Sequence, residues 1–125
     1  MDTDTSCLDR ITQRVIGCAF IVANELGPGF LEKVYENALA LELRSSGLAV
    51  EQQHGIVVNY KGAAVGEYTA DLIVERAVLV ELKAVRALDD VHRAQCLNYL
   101  KATGLHVCLL LNFAKPRVEV KRLSL

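Results

Sequence analysis

The segment Val78-Leu79-Val80-Glu81-Leu82-Lys83-Ala84 sets two ionisable side chains inside a run that otherwise reads as a buried strand. Burying an unpaired charge costs on the order of several kcal/mol, so any fold of this chain must give Glu81 and Lys83 partners. Two positions apart, they point to the same face of a strand. The preceding run, Tyr68-Thr69-Ala70-Asp71-Leu72-Ile73-Val74, holds one more such charge, Asp71. The loop between the runs decides whether the three meet. A two-residue loop, Glu75-Arg76, pairs Val74 with Ala77 and sets Asp71 opposite Val80, on the wrong face. A three-residue loop, Glu75-Arg76-Ala77, pairs Val74 with Val78 and Asp71 with Glu81. It also gathers Leu72, Val74, Val78, Val80 and Leu82 on one face. Because a slip of one residue reverses every side chain, this clustering selects the three-residue loop or an equivalent bulge.

The rest of the chain supplies elements to cover such a hairpin. Leu8, Ile11, Val15, Cys18, Ala19, Val22 and Leu26 recur by threes and fours, which predicts a helix over 8–26. Gly27-Pro28-Gly29 stops it. A second helix is expected over 30–46, with Leu31, Val34, Tyr35, Ala38 and Leu41 along one side and Gly47 ending it. The period then changes to two. Ile56–Tyr60 and Val65–Val74 read as strands around the turn Lys61-Gly62, and Ala77–Ala84 as a third. Leu88–Thr103 returns to helix with Gly104 as its cap. His106–Asn112 is an apolar strand fit for the sheet interior, and Arg117–Leu123 alternates as an edge strand does. The order ααβββαββ implies an α/β (mixed α+β) domain, a central mixed sheet of about five strands flanked by helices.

At 125 residues the chain has room for one core. We expect a flexible N-terminus over 1–7 and a single domain over 8–125. Apolar runs such as Val107 to Leu111 are far short of the roughly 20 residues of a membrane span. The acidic, polar start lacks the basic region of a secretory signal, so the expectation is a soluble cytoplasmic protein with no membrane partner. A net charge of −1 argues against nucleic-acid binding by bulk electrostatics. The charge is uneven, however. Residues 1–60 hold four basic against eight acidic side chains, and residues 61–125 hold ten against seven. Lys115, Arg117, Lys121 and Arg122 could form a basic face or simply a solvated strand. Cys7, Cys18, Cys96 and Cys108 form no C-x-x-C pair, so they read as inert thiols, with Cys18 and Cys108 in the core.

Side by side, Asp71 and Glu81 repel unless one is protonated or a cation sits between them. Carboxylate oxygens of this kind suit Mg²⁺ or Mn²⁺. Such an ion activates water and stabilises charge on a phosphoryl oxygen, and Lys83 could orient that water or stabilise the developing charge. The alternative is a buried Glu81–Lys83 or Asp71–Lys83 ion pair that serves only packing.

Asp71, nine intervening residues and then Glu81-Leu82-Lys83 form a D-x(n)-E-x-K pattern, and Gly29-Phe30-Leu31-Glu32-Lys33-Val34-Tyr35 forms G-x-x-E-x-x-Y. Together, over about Leu8 to Leu123, they resemble the GxxExxY proteins, a small branch of the PD-(D/E)XK nuclease superfamily. Ala70 stands where the superfamily's name has proline. The resemblance implies a restriction-endonuclease-like fold and a phosphodiester hydrolase dependent on Mg²⁺ or Mn²⁺, with nucleic acid as partner, DNA ahead of RNA. By position, Asp71 and Glu81 match the metal-binding acids, Lys83 the catalytic lysine, and Glu32 an early-helix acid that helps hold the metal or its waters. Gln95-Cys96-Leu97-Asn98-Tyr99 matches the Q-x-x-x-Y motif of the exonuclease branch, so Gln95 and Tyr99, with Tyr35, are expected to bind substrate.

Each of these residues also has a plainer reading. Glu32 falls in the first helical turn, where a carboxylate complements the helix dipole. Tyr35 is a fitting core aromatic. Gln95 and Tyr99 share a helix face with His92, which has no matched role, and such a polar stripe is usually solvated. The rival function is a catalytically silent module that keeps the fold and binds nucleic acid or a protein. With little surface outside the core, a homodimer is a reasonable way to supply more.

Overall fold

The computed structural model describes residues 3–125. The elements are α1 (Thr3–Leu26), α2 (Glu32–Ser45), β1 (Val50–Tyr60), β2 (Ala63–Val74), β3 (Val78–Lys83), α3 (Asp90–Thr103), β4 (Val107–Asn112) and β5 (Glu119–Ser124). Order and types are those expected, with shifted bounds. α1 begins at Thr3, within the segment expected to be flexible, while Met1 and Asp2 lie outside the described residues. β1 starts six residues before Ile56, because Val50–Gly55 continues the ladder opposite Thr69–Val74.

The sheet runs β1-β2-β3-β4-β5. Only β3 and β4 are parallel, joined through α3; the other neighbours are antiparallel. The loop after β2 takes three residues: Val74 pairs with Val78, Ile73 with Leu79 and Leu72 with Val80. The expected face follows, since Leu72, Val74, Val78, Val80 and Leu82 all join the core beneath α1 and α2. Ile73, Leu79, Cys108 and Leu110 look the other way and pack on Cys96, Tyr99 and Leu100 of α3. The result is three layers, two helices and one helix on opposite faces of a sheet. β4 is buried throughout, as a strand with both faces covered must be.

α2 departs from its predicted face. Its buried residues are Tyr35, Glu36, Leu39, Ala40 and Leu43, while Leu31 is 80% exposed and Val34 and Leu41 also face solvent. The helix is rotated toward Glu36, only 4% exposed. Lys33, Gln52 and Gln53 all donate to that carboxylate, so polar partners carry it into the interior. Apolar spacing cannot register such a pull.

α3 is set at both ends. Asp89 accepts from the Val91 and His92 amides, and His92 Nδ1 accepts from the Asp89 amide, a reciprocal cap that gives His92 its place. Gly104 closes the helix at φ 77°, the left-handed region glycine enters freely. Cys18, Cys96 and Cys108 are buried free thiols and Cys7 is an exposed one. Three of the four basic C-terminal residues are engaged within the domain: Lys115 pairs with Glu119, Arg122 with Asp9 of α1, and Arg117 lies over the Phe20 ring of α1. Among the described residues no helix is long and apolar enough to cross a membrane.

Candidate active site

Asp71 sits where one β ladder ends and another is interrupted. On one side the β2–β3 pairing ends at Leu72–Val80; on the other the β1–β2 pairing skips from Gln52–Leu72 to His54–Ala70. Side chains replace the missing main-chain bonds. The Asp71 amide donates to Glu81 Oε2 at 2.8 Å, and the Leu82 amide donates to Asp71 Oδ2 at 2.9 Å. The two acids therefore meet, as the register requires, each clamped to the other's strand.

Burial and mutual repulsion disturb both. Glu81 is 3% exposed. Desolvation first, and then the Asp71 charge, push its carboxyl up to about 8. Desolvation also raises Asp71, with the Glu36 charge adding to the rise and the Leu82 amide opposing it. Lys83 is close enough to lower both, yet its Nζ donates to Gln95 Oε1 at 3.2 Å, and among the described residues it forms no ion pair with either acid. A buried ion pair serving only packing is thus not what these residues make.

The expected substrate residues divide. Gln95 passes its own amide to the Tyr99 hydroxyl at 3.0 Å, so Lys83, Gln95 and Tyr99 form one hydrogen-bonded row from β3 along α3. Gln95 and Tyr99 line a groove of about 810 Å³ between α3 and the β1–β2 hairpin, where Tyr68 lies 5.6 Å from the Tyr99 ring. Burial raises the Tyr99 hydroxyl above its usual range, and the Glu81 charge adds to this. Tyr35 corrects the expectation of substrate contact. It is 1% exposed and stacks on Phe113 with ring centroids 4.7 Å apart. Its hydroxyl donates to Gly27 O at 2.6 Å and accepts from the Phe30 amide at 3.2 Å. It anchors the Gly27-Pro28-Gly29 loop from within the core. Tyr35→Phe is therefore expected to cost about 1–3 kcal/mol in denaturant unfolding, with the groove around Gln95 unchanged.

Glu32 lies at the mouth of an open pocket of about 540 Å³ that it shares with Phe30, Lys33, Glu36, Asp71 and Ala84. Its Oε2 accepts from the Ala84 amide at 3.0 Å, tying the start of α2 to the end of β3. Among the described residues no three His, Cys, Asp or Glu side chains are grouped closely enough to hold a metal ion, so Glu32 is not drawn into one ligand set with Asp71 and Glu81. Two carboxylates still suit Mg²⁺ or Mn²⁺, because Mg²⁺ is commonly bound by one or two carboxylates with waters or phosphate oxygens completing its shell. Both groups are held above their ordinary range, the condition that a divalent cation relieves.

Sequence reasoning missed Glu36, Gln52 and Gln53. Glu36 stands one helical turn beyond Glu32, and that i, i+4 spacing is a signal that could have marked it. Gln53 gave no periodic signal at all.

The fold and site together define a class: a three-layer domain with a buried acid, a half-buried acid and a lysine at the splayed centre of a mixed sheet. The chain belongs to the PD-(D/E)XK nuclease superfamily, whose family model matches residues 9–123. Among solved structures, the crystal structure of SSO0001 is similar, with a TM-score of 0.53 and 16% identity; the match covers 74% of this chain and 48% of that one. The chain thus spans about half the length of that protein, and the likeness concerns the fold. No curated protein matches the chain.

Proposed function

We propose that this domain hydrolyses phosphodiester bonds of nucleic acid, DNA in preference to RNA, with Mg²⁺ or Mn²⁺ held by Asp71 and Glu81. The observation that carries the reading is the pair of facing acids, Glu81 buried and Asp71 half-buried, each spending one oxygen on a backbone amide and, among the described residues, neither in a salt bridge. When bound, the cation would supply an acidified water and neutralise charge on the phosphoryl oxygen. Lys83, whose ammonium donates to Gln95 beside the acids, would stabilise negative charge as it develops. Tyr99 in turn fixes Gln95, so the row that orients Lys83 is also the wall along which a strand would lie. Glu32 supports the pocket by bracing Ala84 and is free to order water through its second oxygen. The G-x-x-E-x-x-Y segment, Gly29 to Tyr35, and its place ahead of the acids support membership of the GxxExxY branch.

Incubating labelled single- and double-stranded DNA and RNA with the protein in Mn²⁺ tests this directly. Cleavage is expected with Mn²⁺ and its loss with EDTA. Lys83→Ala is expected to slow turnover by about 10²–10³-fold while remaining folded; unchanged turnover would remove Lys83 from the mechanism. Absence of cleavage from folded wild-type protein would favour a silent module that binds nucleic acid or protein.

A further inference from the structure

Gln53 is the one residue of β1 with a left-handed backbone, φ 53°. Side chains other than glycine, asparagine and aspartate rarely enter that region, and such strain persists only where the surroundings over-determine it. Gln53 is also the β1 position opposite Asp71, the pair the ladder omits. In an extended strand adjacent side chains point to opposite faces. Here Gln52 and Gln53 reach the same carboxylate: their Nε2 atoms donate to Glu36 Oε2 at 2.8 Å and Glu36 Oε1 at 2.9 Å. The left-handed turn is what brings the second amide round. From there Gln53 Nε2 also donates to Asp71 Oδ1 at 3.4 Å. One amide group therefore separates two acids, Glu36 and Asp71, that would otherwise face each other across the pocket.

Taking Asp71 as a metal ligand, and so resting on the function proposed above, we infer that Gln53 is a positioning residue of the cation site. Its strained backbone delivers a neutral donor between Glu36 and Asp71, which fixes the Asp71 carboxylate with Oδ2 on the Leu82 amide and Oδ1 toward the pocket. Glu36 is the anchor for that donor, itself held by Lys33 at 3.1 Å.

The test is Mn²⁺ titration by calorimetry of metal-free wild type, Gln53→Gly and Gln53→Asn at pH 8, with melting temperatures recorded beside it. Glycine accepts the left-handed backbone without strain and asparagine tolerates it, but neither can bridge the two acids. Both variants are expected to melt close to the wild-type temperature, relief of the strained backbone offsetting the lost bond to Glu36, and to bind Mn²⁺ about tenfold or more weakly, as loss of a group that orients a ligand does. Wild-type affinity in both variants would overturn the role of Gln53 alone. Parallel loss of melting temperature and affinity would also overturn it, since the residue would then only hold the fold. No Mn²⁺ binding by the wild type would overturn the metal site itself, and this inference with it.

Discussion

Asp71→Ala is expected to bring Mn²⁺-dependent cleavage to background. Asp71 does three things at once: it faces Glu81 across the splayed strands, accepts the Leu82 amide and receives the Gln53 amide. Alanine removes the charge and leaves the Leu82 N–H unpartnered, a loss of about 1–3 kcal/mol. Relief of the repulsion on Glu81 offsets part of it. Asp71→Asn separates chemistry from folding better than alanine, because its amide oxygen still accepts from Leu82 while the charge is gone and only the long bond from Gln53 is lost. The asparagine variant is expected to melt near the wild type and to cleave no better than alanine. Cleavage within tenfold of wild type by folded Asp71→Asn would remove Asp71 from the reaction.

Glu81→Gln is expected to stabilise the metal-free protein at pH 8. The Glu81 carboxyl lies near 8 in the folded chain against an ordinary 4.5, so the folded state holds its proton more tightly than the unfolded state. Stability from that proton is fully present below about pH 4.5 and is lost as pH rises to about 8. Asp71, raised as well, contributes in the same direction. Glutamine mimics the protonated acid, keeps an oxygen for the Asp71 amide and can donate to the Asp71 carboxylate. At pH 8 it is expected to raise the melting temperature by roughly 5 °C or more, and below about pH 4.5 the difference should close. Saturating Mn²⁺ should reverse the order at pH 8, because a cation bound to the native state stabilises the wild type. A glutamine variant that melts below wild type in EDTA at pH 8 would contradict this account.

What could be read in advance follows from what each residue's neighbours in the chain disclose. The β2–β3 register was legible because five apolar side chains had to share one face, and the face they share brings Asp71 to Glu81. The environment of Gln53 was not. Counting back from the Lys61-Gly62 turn sets it opposite Ala70; a shift of register between Val58 and Asn59 moves it opposite Asp71. Bulges of this kind leave no periodic trace. The α2 face was misjudged for a related reason, since Glu36 is drawn inward by amides from another strand. Tyr35 shows the reverse: apolar spacing alone placed it in the core, where it lies, and the substrate role came only with the family pattern.

The exchange of ladder bonds for carboxylate bonds at Asp71 has a spectroscopic consequence. Most sheet amides point at neutral carbonyls and are blind to ionisation. The amides of Asp71 and Leu82 point at acids whose charge changes with proton or cation. Their ¹⁵N–¹H resonances are therefore reporters built into the backbone, one for each acid, that follow the loading of the site without a label, a substrate or a turnover.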